Sequence, residues 1–163
     1  MRYQQYWFFL YPRKPDNRQH SLLDGLILMA GETSLAALLR DMTPVLNDGE
    51  YVYCTLPDGQ IPAGLQPLGS FRESEGLTLI LPRAEAEQAG LAFDYVAAWL
   101  TLEVHSALQA VGLTAAVATA LAKAGISCNV VAAWYHDHLF VAHADGPRAL
   151  DVLHALTLDP EGI

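Results

Sequence analysis

The chain has few charged residues and few cysteines. Only 17% of its 163 residues are charged, and 18 acidic residues against 9 basic ones give a net charge of -9 at pH 7. Because clustered lysine and arginine bind a phosphate backbone, this balance argues against nucleic acid as a partner. The two cysteines, Cys54 and Cys128, lie in separate strand-like runs. We therefore expect no disulfide and two buried free thiols, as in a cytoplasmic protein.

Motifs of catalysis and cofactor binding are also missing. The sequence contains no P-loop, no HExxH, no dinucleotide fingerprint and no nucleophile motif with an adjacent base. Its acidic residues are scattered singly, so no carboxylate pair stands out. We therefore expect a protein that is not an enzyme and that uses no cofactor. With 52% hydrophobic residues, the chain is still able to bury one good core or two small ones.

The first 28 residues differ from the rest in charge. They hold four basic and two acidic residues, whereas residues 29–163 hold five basic and 16 acidic ones. The aromatic run YWFFLY is too short to cross a bilayer, and a secretory signal needs a longer apolar region and a cleavage site. We predict neither a signal nor a membrane anchor. Residues 1–28 are interpreted as an extension that is disordered or not native, and a short strand at 26–29 is the alternative.

Hydrophobic periodicity and turn residues predict the secondary structure of the remainder. In the first half we expect a helix after Thr33 that Pro44 ends, strands at 51–56, 68–72 and 77–81, and a helix at 83–88. In the second half we expect a strand at 92–104, a helix at 113–124, strands at 127–134 and 139–142 around a turn at 135–138, and a helix at 148–156. Two similar passes of strands and helices predict an α+β fold.

The start of the helix at 113–124 is the main candidate site. Gly112 joins the preceding strand to this helix, so the backbone N–H groups of Leu113 and Thr114 have no partner within the helix. Together with the helix dipole, they form a site for a carboxylate or phosphate. The alternative is a plain turn in which Thr114 caps the helix. His105 and Ser106 precede the turn and are the second candidates, unless Ser106 bonds locally and His105 is half exposed.

A group of polar residues, His136, Asp137 and His138, occupies the predicted turn at 135–138. Imidazole and carboxylate groups are common metal ligands, but a hairpin turn would point these side chains apart. We therefore predict no metal site. We expect hairpin residues that pair with each other or with a neighbouring chain.

Two segments, VHSALQAVGLTAA at 104–116 and YHDH at 135–138, resemble signatures of small stand-alone ACT domain proteins. The resemblance implies two tandem ferredoxin-like βαββα(β) units with antiparallel sheets, at 29–90 and 91–163. It also implies that Met29, which begins a Met-Ala-Gly sequence, is the true start. In the first unit, FRESEG matches a further signature and makes Arg72 and Glu73 secondary candidates, with an exposed hairpin pair as the alternative.

The same resemblance implies a function. ACT domains hold the backbone of an amino acid at a domain interface, a role that falls on Gly112, Leu113 and Thr114 here. We therefore expect a non-catalytic regulatory protein, a homodimer that binds a small ligand and acts on a protein partner or by sequestering the ligand. A protein interaction module without a ligand is the alternative. The ligand and the regulated partner are not identified by any residue.

Overall fold

The computed structural model describes residues 32–104, 106, 108 and 110–159. The predicted extension, the predicted start at Met29 and the candidate His105 lie outside the described residues. The elements, in chain order, are α1 (Leu35–Asp41), β1 (Thr43–Leu46), β2 (Tyr51–Leu56), β3 (Gly69–Arg72), β4 (Leu77–Pro82), α2 (Arg83–Gln88), β5 (Val96–Glu103), α3 (Leu113–Lys123), β6 (Cys128–Ala132), β7 (Asp137–Ala142) and α4 (Gly146–Leu158). A single 3-10 turn, His143–Asp145, precedes α4.

The strands form one antiparallel sheet in the order β3-β4-β2-β5-β7-β6, and β1 also pairs with β5. Strand β5 is central, because β1 and β2 pair with one of its edges and β7 pairs with the other. An α+β fold with an antiparallel sheet is thereby confirmed. Residues 57–68, which join β2 to β3, contain no helix, whereas α3 joins β5 to β6.

The first helix is shorter than the sequence pattern predicts. It ends at Asp41, and Pro44 lies within β1, where it pairs with Leu102 of β5. The helix thus ends before Pro44 as expected, since Pro44 lies two residues past the C-cap Met42, whereas the strand that contains Pro44 was not predicted. A proline lacks the N–H group and is tolerated in a strand only where no ladder bond is needed from it. Strand β1 pairs with β5 alone among the described strands, so such a position is available there.

Helices cover one face of the sheet because alternate strand residues are apolar on that side. The main core joins Leu100 of β5 and Leu139 of β7 to Val117 of α3 and Leu153 of α4, all of which are fully buried. Leu38 of α1 belongs to the same core, and the first helix packs against α3 and α4 of the second half. The predicted division between residues 90 and 91 stays a prediction.

The opposite face carries aromatic side chains. Phe140, which is 2% exposed, lies beneath Tyr51 and Tyr53, and the Tyr53 and Phe140 ring centroids are 5.7 Å apart in an edge-to-face arrangement. Trp99 contacts Tyr51 in the same way at 5.3 Å. Such pairs add to the stabilisation from burial alone. This face therefore has a small aromatic core of its own.

The hairpin between β6 and β7 turns earlier than predicted. Its loop is residues 133–136, closed by a hydrogen bond from the Ala133 N–H to the His136 carbonyl oxygen at 3.1 Å. Asp137 and His138 are consequently strand residues, and the predicted turn at 135–138 is wrong. Because successive side chains of a strand point to opposite faces, these two residues separate. Gly125, with a φ of +71°, follows α3 in the left-handed conformation expected after a helix end.

Candidate functional site

The site is built around the amino-terminal end of α3. Gly112 is the N-cap residue with a φ of +108°, and no side chain caps the helix. The first helical hydrogen bond runs from the Ala116 N–H to the Gly112 carbonyl oxygen at 2.8 Å. The N–H groups of Leu113, Thr114 and Ala115 therefore have no partner within the helix. The alternative in which Thr114 caps the helix is wrong, because Thr114 lies inside it.

Gly112 also has a packing role. A Cβ atom at this position would lie 2.9 Å from Cδ2 of Leu35, the first residue of α1. The start of α1 thus packs against the start of α3, and a side chain at Gly112 would displace the Leu35 side chain. The left-handed φ adds strain for any residue other than glycine. Substitution of Gly112 would therefore disturb the fold as well as the helix terminus.

A small cavity of about 50 Å³ opens at this helix terminus. Its walls are formed by Ser106, Leu108, Ala110, Leu113, Thr114, Ala132 and Asp137. A water molecule occupies about 30 Å³ of liquid, so the cavity has room for the charged end of a ligand. It is much smaller than a pocket that encloses a drug-sized molecule, which is about 300–1,000 Å³.

The cavity unites four of the predicted site residues: Ser106, Leu113, Thr114 and Asp137. Ser106 is held there by the end of β5, since its N–H donates to the carbonyl oxygen of Val104 at 3.0 Å. Its hydroxyl adds a group that can donate or accept a hydrogen bond.

Asp137 is the most unusual residue of the cavity. It is 7% exposed, and no side chain or backbone group of the described residues forms a hydrogen bond with its carboxylate. Burial raises the pKa of the Asp137 carboxyl, and the neighbouring His136 opposes part of that rise. A buried carboxylate is destabilising unless a cation or hydrogen-bond donors face it. The cavity is therefore lined both by residues of the uncapped helix start and by a carboxylate that accepts no hydrogen bond from the described residues.

The two histidines beside Asp137 lie away from the cavity. The Nδ1 atom of His136 is 3.4 Å from the carbonyl oxygen of Val104. His138, on the other sheet face, accepts a hydrogen bond at Nδ1 from Nε1 of Trp99 at 3.2 Å. Burial lowers the pKa of the His138 ring, and His136 lowers it further. Among the residues that the structure describes, no group of three histidine, cysteine or acidic side chains is placed to hold a metal.

Arg72 and Glu73 are not brought to the cavity. Both are exposed and lie where β3 enters the β3–β4 hairpin, in the first half of the chain. The Glu73 carboxylate accepts a short hydrogen bond from the Thr78 hydroxyl across this hairpin. The arrangement corresponds to the alternative of an exposed hairpin residue for Glu73.

The sequence analysis did not identify three apolar residues of the cavity wall: Leu108, Ala110 and Ala132. Ala132 closes the β6–β7 hairpin as the direct partner of Asp137. No local sequence pattern predicts that Ala132 lines the cavity, because its position depends on the register of the hairpin. Leu108 and Ala110 belong to the segment that leads into α3, and only their proximity to Gly112 in the sequence was a signal.

The fold and the site define a class: a ferredoxin-like α+β protein with a small polar cavity at a strand-to-helix turn. Two ACT domain family descriptions match the chain, one at residues 30–98 and the other at residues 95–155. The chain belongs to the ACT domain family. No curated protein sequence matches it. In the described part of the chain, no helix is long and apolar enough to cross a membrane.

Solved structures agree with this assignment. A protein of unknown function from Vibrio cholerae, described as a possible transport protein, is 46% identical with a TM-score of 0.68, over 76% of this chain and 95% of that one. A protein from Agrobacterium tumefaciens is 21% identical, with a TM-score of 0.57 over 71% and 89% of the two chains. The regulatory subunit of aspartate kinase from Thermus flavus is 11% identical, with a TM-score of 0.53 over 70% and 97%. The latter two show the fold alone.

Proposed function

We propose that this protein is a non-catalytic regulatory protein that binds an amino acid at the cavity before α3. The observation that carries the proposal is the uncapped start of α3, whose first two residues, Leu113 and Thr114, line a cavity. Free N–H groups and the positive end of the helix dipole favour a carboxylate at this place. ACT domains are typically regulatory and ligand-binding, and the chain contains two of them.

In this proposal the amino acid is bound by its end groups. Its carboxylate accepts hydrogen bonds from the first N–H groups of α3, and its ammonium group lies near an acidic or carbonyl group. Ser106 provides a hydroxyl at the same wall. His105, which precedes Ser106 in the sequence, is the other polar candidate.

The cavity is too small to enclose a whole amino acid with a large side chain. We therefore propose that a second copy of the chain covers the bound ligand and that the protein is a cytoplasmic homodimer. Leu108 and Val111 flank the start of α3 and are 60% and 84% exposed, which provides an apolar surface for such an interface. A ligand that binds the closed dimer preferentially would shift the population towards it, and a protein partner would sense the change.

The same exposed residues favour a second candidate function, an interaction module without a ligand. Trp134, in the loop of the β6–β7 hairpin, is 51% exposed, and aromatic residues are enriched at protein interfaces. In that case the cavity would hold only water, and Leu108, Val111 and Trp134 would contact another protein.

Thermal unfolding of the full chain with each of the twenty L-amino acids tests the proposal. A ligand at 100 times its Kd adds about 2.7 kcal/mol to the unfolding free energy. The matched variants are Thr114→Pro and Thr114→Ala at an exposed position of the first helical turn. Proline removes one N–H group where a helix tolerates it, whereas alanine keeps that group.

We expect amino-acid binding to be lost in Thr114→Pro and kept in Thr114→Ala. If the folded wild-type protein is stabilised by no amino acid, the proposal is wrong and the interaction module replaces it. If Thr114→Pro binds as well as Thr114→Ala, the carboxylate lies elsewhere.

A further inference from the structure

The Asp137 carboxylate is not explained by the fold. It is 7% exposed, it lines the cavity, and no described residue donates a hydrogen bond to it. Burial disfavours the ionised form of a carboxylate, and the raised pKa of Asp137 shows that the fold stabilises this charge poorly. A function of the residue would explain why it is placed here.

The chain contains an internal comparison for this position. Hairpins β3–β4 and β6–β7 both have loops of four residues, 73–76 and 133–136, closed by equivalent backbone hydrogen bonds. The strand pairs that flank the loops are Arg72 with Leu77 and Ala132 with Asp137. Leu77 and Asp137 are thus equivalent positions of two similar hairpins. Their strands share the same order of buried and half-buried residues.

At this equivalent position the first half buries a leucine. Leu77 is 6% exposed and pairs with Leu56 of β2, while Asp137 pairs with Leu102 of β5. The architecture therefore accommodates an apolar side chain where the second half places a carboxylate. The fold therefore does not require a carboxylate at the position of Asp137.

The two halves differ in a second feature at the same place. Residues 57–68 of the first half contain no helix, so no helix terminus faces Leu77. In the second half, the carboxylate and the uncapped start of α3 occur together in one cavity. The second half therefore has both the carboxylate of Asp137 and the N–H donors of a helix start. The first half has neither of them at the equivalent place.

Building on the proposed function, we propose that Asp137 binds the ammonium group of the ligand and determines its class. The site takes an α-amino acid in preference to the α-hydroxy acid of the same shape, and each chain binds one ligand, in its second half. The ammonium group donates hydrogen bonds to the Asp137 carboxylate, which accepts none from the described residues and has only the electrostatic effect of His136, and α3 receives the ligand carboxylate. In a cavity of about 50 Å³, the charged ends lie inside and the ligand side chain extends past the exposed Leu108.

Isothermal titration of the full chain tests this assignment. The probes are the twenty L-amino acids and three α-hydroxy acids, L-lactate, L-malate and L-phenyllactate, which match alanine, aspartate and phenylalanine except for the ammonium group. We expect one amino acid bound per chain and no binding of the hydroxy acids. Asp137→Asn keeps the shape but removes the charge, and should weaken amino-acid binding on the order of 100-fold.

Asp151→Asn is the matched control, because Asp151 is exposed on α4 and does not line the cavity. It should bind as the wild type does. Asp137→Leu, which copies the first half, provides a second variant that is expected to fold and not to bind. Loss of binding in both Asp137 variants, with one site per chain, supports the assignment.

Other outcomes separate the two proposals. If the wild type binds an amino acid and both Asp137 variants bind it equally well, Asp137 is not the ammonium partner, and the proposed function survives. Equal binding of an amino acid and its hydroxy acid, or two ligands per chain, also overturns the assignment. If no amino acid binds the folded wild type, the proposed function fails and this assignment fails with it.

Discussion

Replacing Asp137 with leucine should stabilise the unliganded protein. The change gives the second half the residue that the first half already holds at Leu77, with 6% exposure against 7% for Asp137. Burying a leucine side chain contributes about 1.5–3 kcal/mol relative to leaving it exposed. The carboxylate that it replaces accepts no hydrogen bond from the described residues, and its burial outweighs the favourable effect of His136 and raises its pKa.

We expect Asp137→Leu to raise the free energy of unfolding by about 1–3 kcal/mol at pH 7. For a chain of this size, the melting temperature shifts by about 2–4 °C per kcal/mol, so the gain should be about 2–12 °C. Urea denaturation and calorimetry of the full chain measure both quantities. Leu77→Asp is the reverse change at the equivalent position, and should destabilise by about 3–5 kcal/mol.

The pH dependence distinguishes this explanation from a simple gain in packing. Burial raises the pKa of Asp137 above its ordinary value of 3.8, so the folded state binds this proton more tightly than the unfolded state. The wild type therefore loses stability as the pH rises from 3.8 through the raised pKa, and no more above it. Leucine binds no proton, so the advantage of Asp137→Leu should grow from acid to neutral pH. A variant that is less stable than the wild type at pH 7, or a gain that is constant with pH, would refute the reasoning.

Two further predictions concern the residues around the site. Gly112→Ala should destabilise more than Gly125→Ala, because an added Cβ lies 2.9 Å from Leu35 at the first glycine and meets nothing within 4 Å at the second. Urea denaturation measures the difference between the two variants. In a Leu35→Ala background, that difference should disappear. Burial lowers the pKa of His138, so the folded state binds that proton less tightly and loses stability as the pH falls below 6.5 through the lowered pKa. His138→Gln should lack this loss, and an unchanged pH profile would contradict the role given to His138.

The sequence predicted those parts of the fold that local chemistry determines. Arg83–Gln88 is a helix as expected, and Gly125 follows α3 with a positive φ. The start of α3 at Leu113 follows from Gly112, which carries the left-handed conformation before the helix. Each of these features depends on a few neighbouring residues, so a local pattern is sufficient to find it.

Long-range contacts determined the features that the sequence did not predict. Pro44 is a common helix terminator, yet it lies in β1 because β5 provides a partner strand 58 positions further along at Leu102. The polar sequence YHDH is typical of a turn, but pairing with β5 and β6 draws Asp137 and His138 into β7. A polar composition predicts that both residues are exposed to solvent. Instead, the register of the sheet places Asp137 on the face that α3 covers and His138 on the opposite face.

The cavity contains the predicted helix start together with Ser106 and Asp137, which were predicted as separate candidates and not as parts of one site. Free N–H groups at a helix start can be located from a glycine before a helical pattern, and Leu113 and Thr114 were predicted in this way. The burial of Asp137 depends on its pairing with Leu102 and Ala132 and on the packing of α3 against the sheet. A comparison of the two four-residue hairpin loops was the available signal, because it aligns Asp137 with Leu77.

The first half has a clear structural role even though the proposed ligand binds in the second. Strand β1 pairs with residues 100–103 of β5, at the end from which the segment leading to Gly112 departs. Leu35 of α1 contacts the position of Gly112 directly. Elements of the first half thus fix both ends of the segment that forms the cavity wall. Natural proteins depart from the rules of stable folding mainly at functional sites, and this chain does so at Asp137 on a scaffold whose equivalent hairpin follows them.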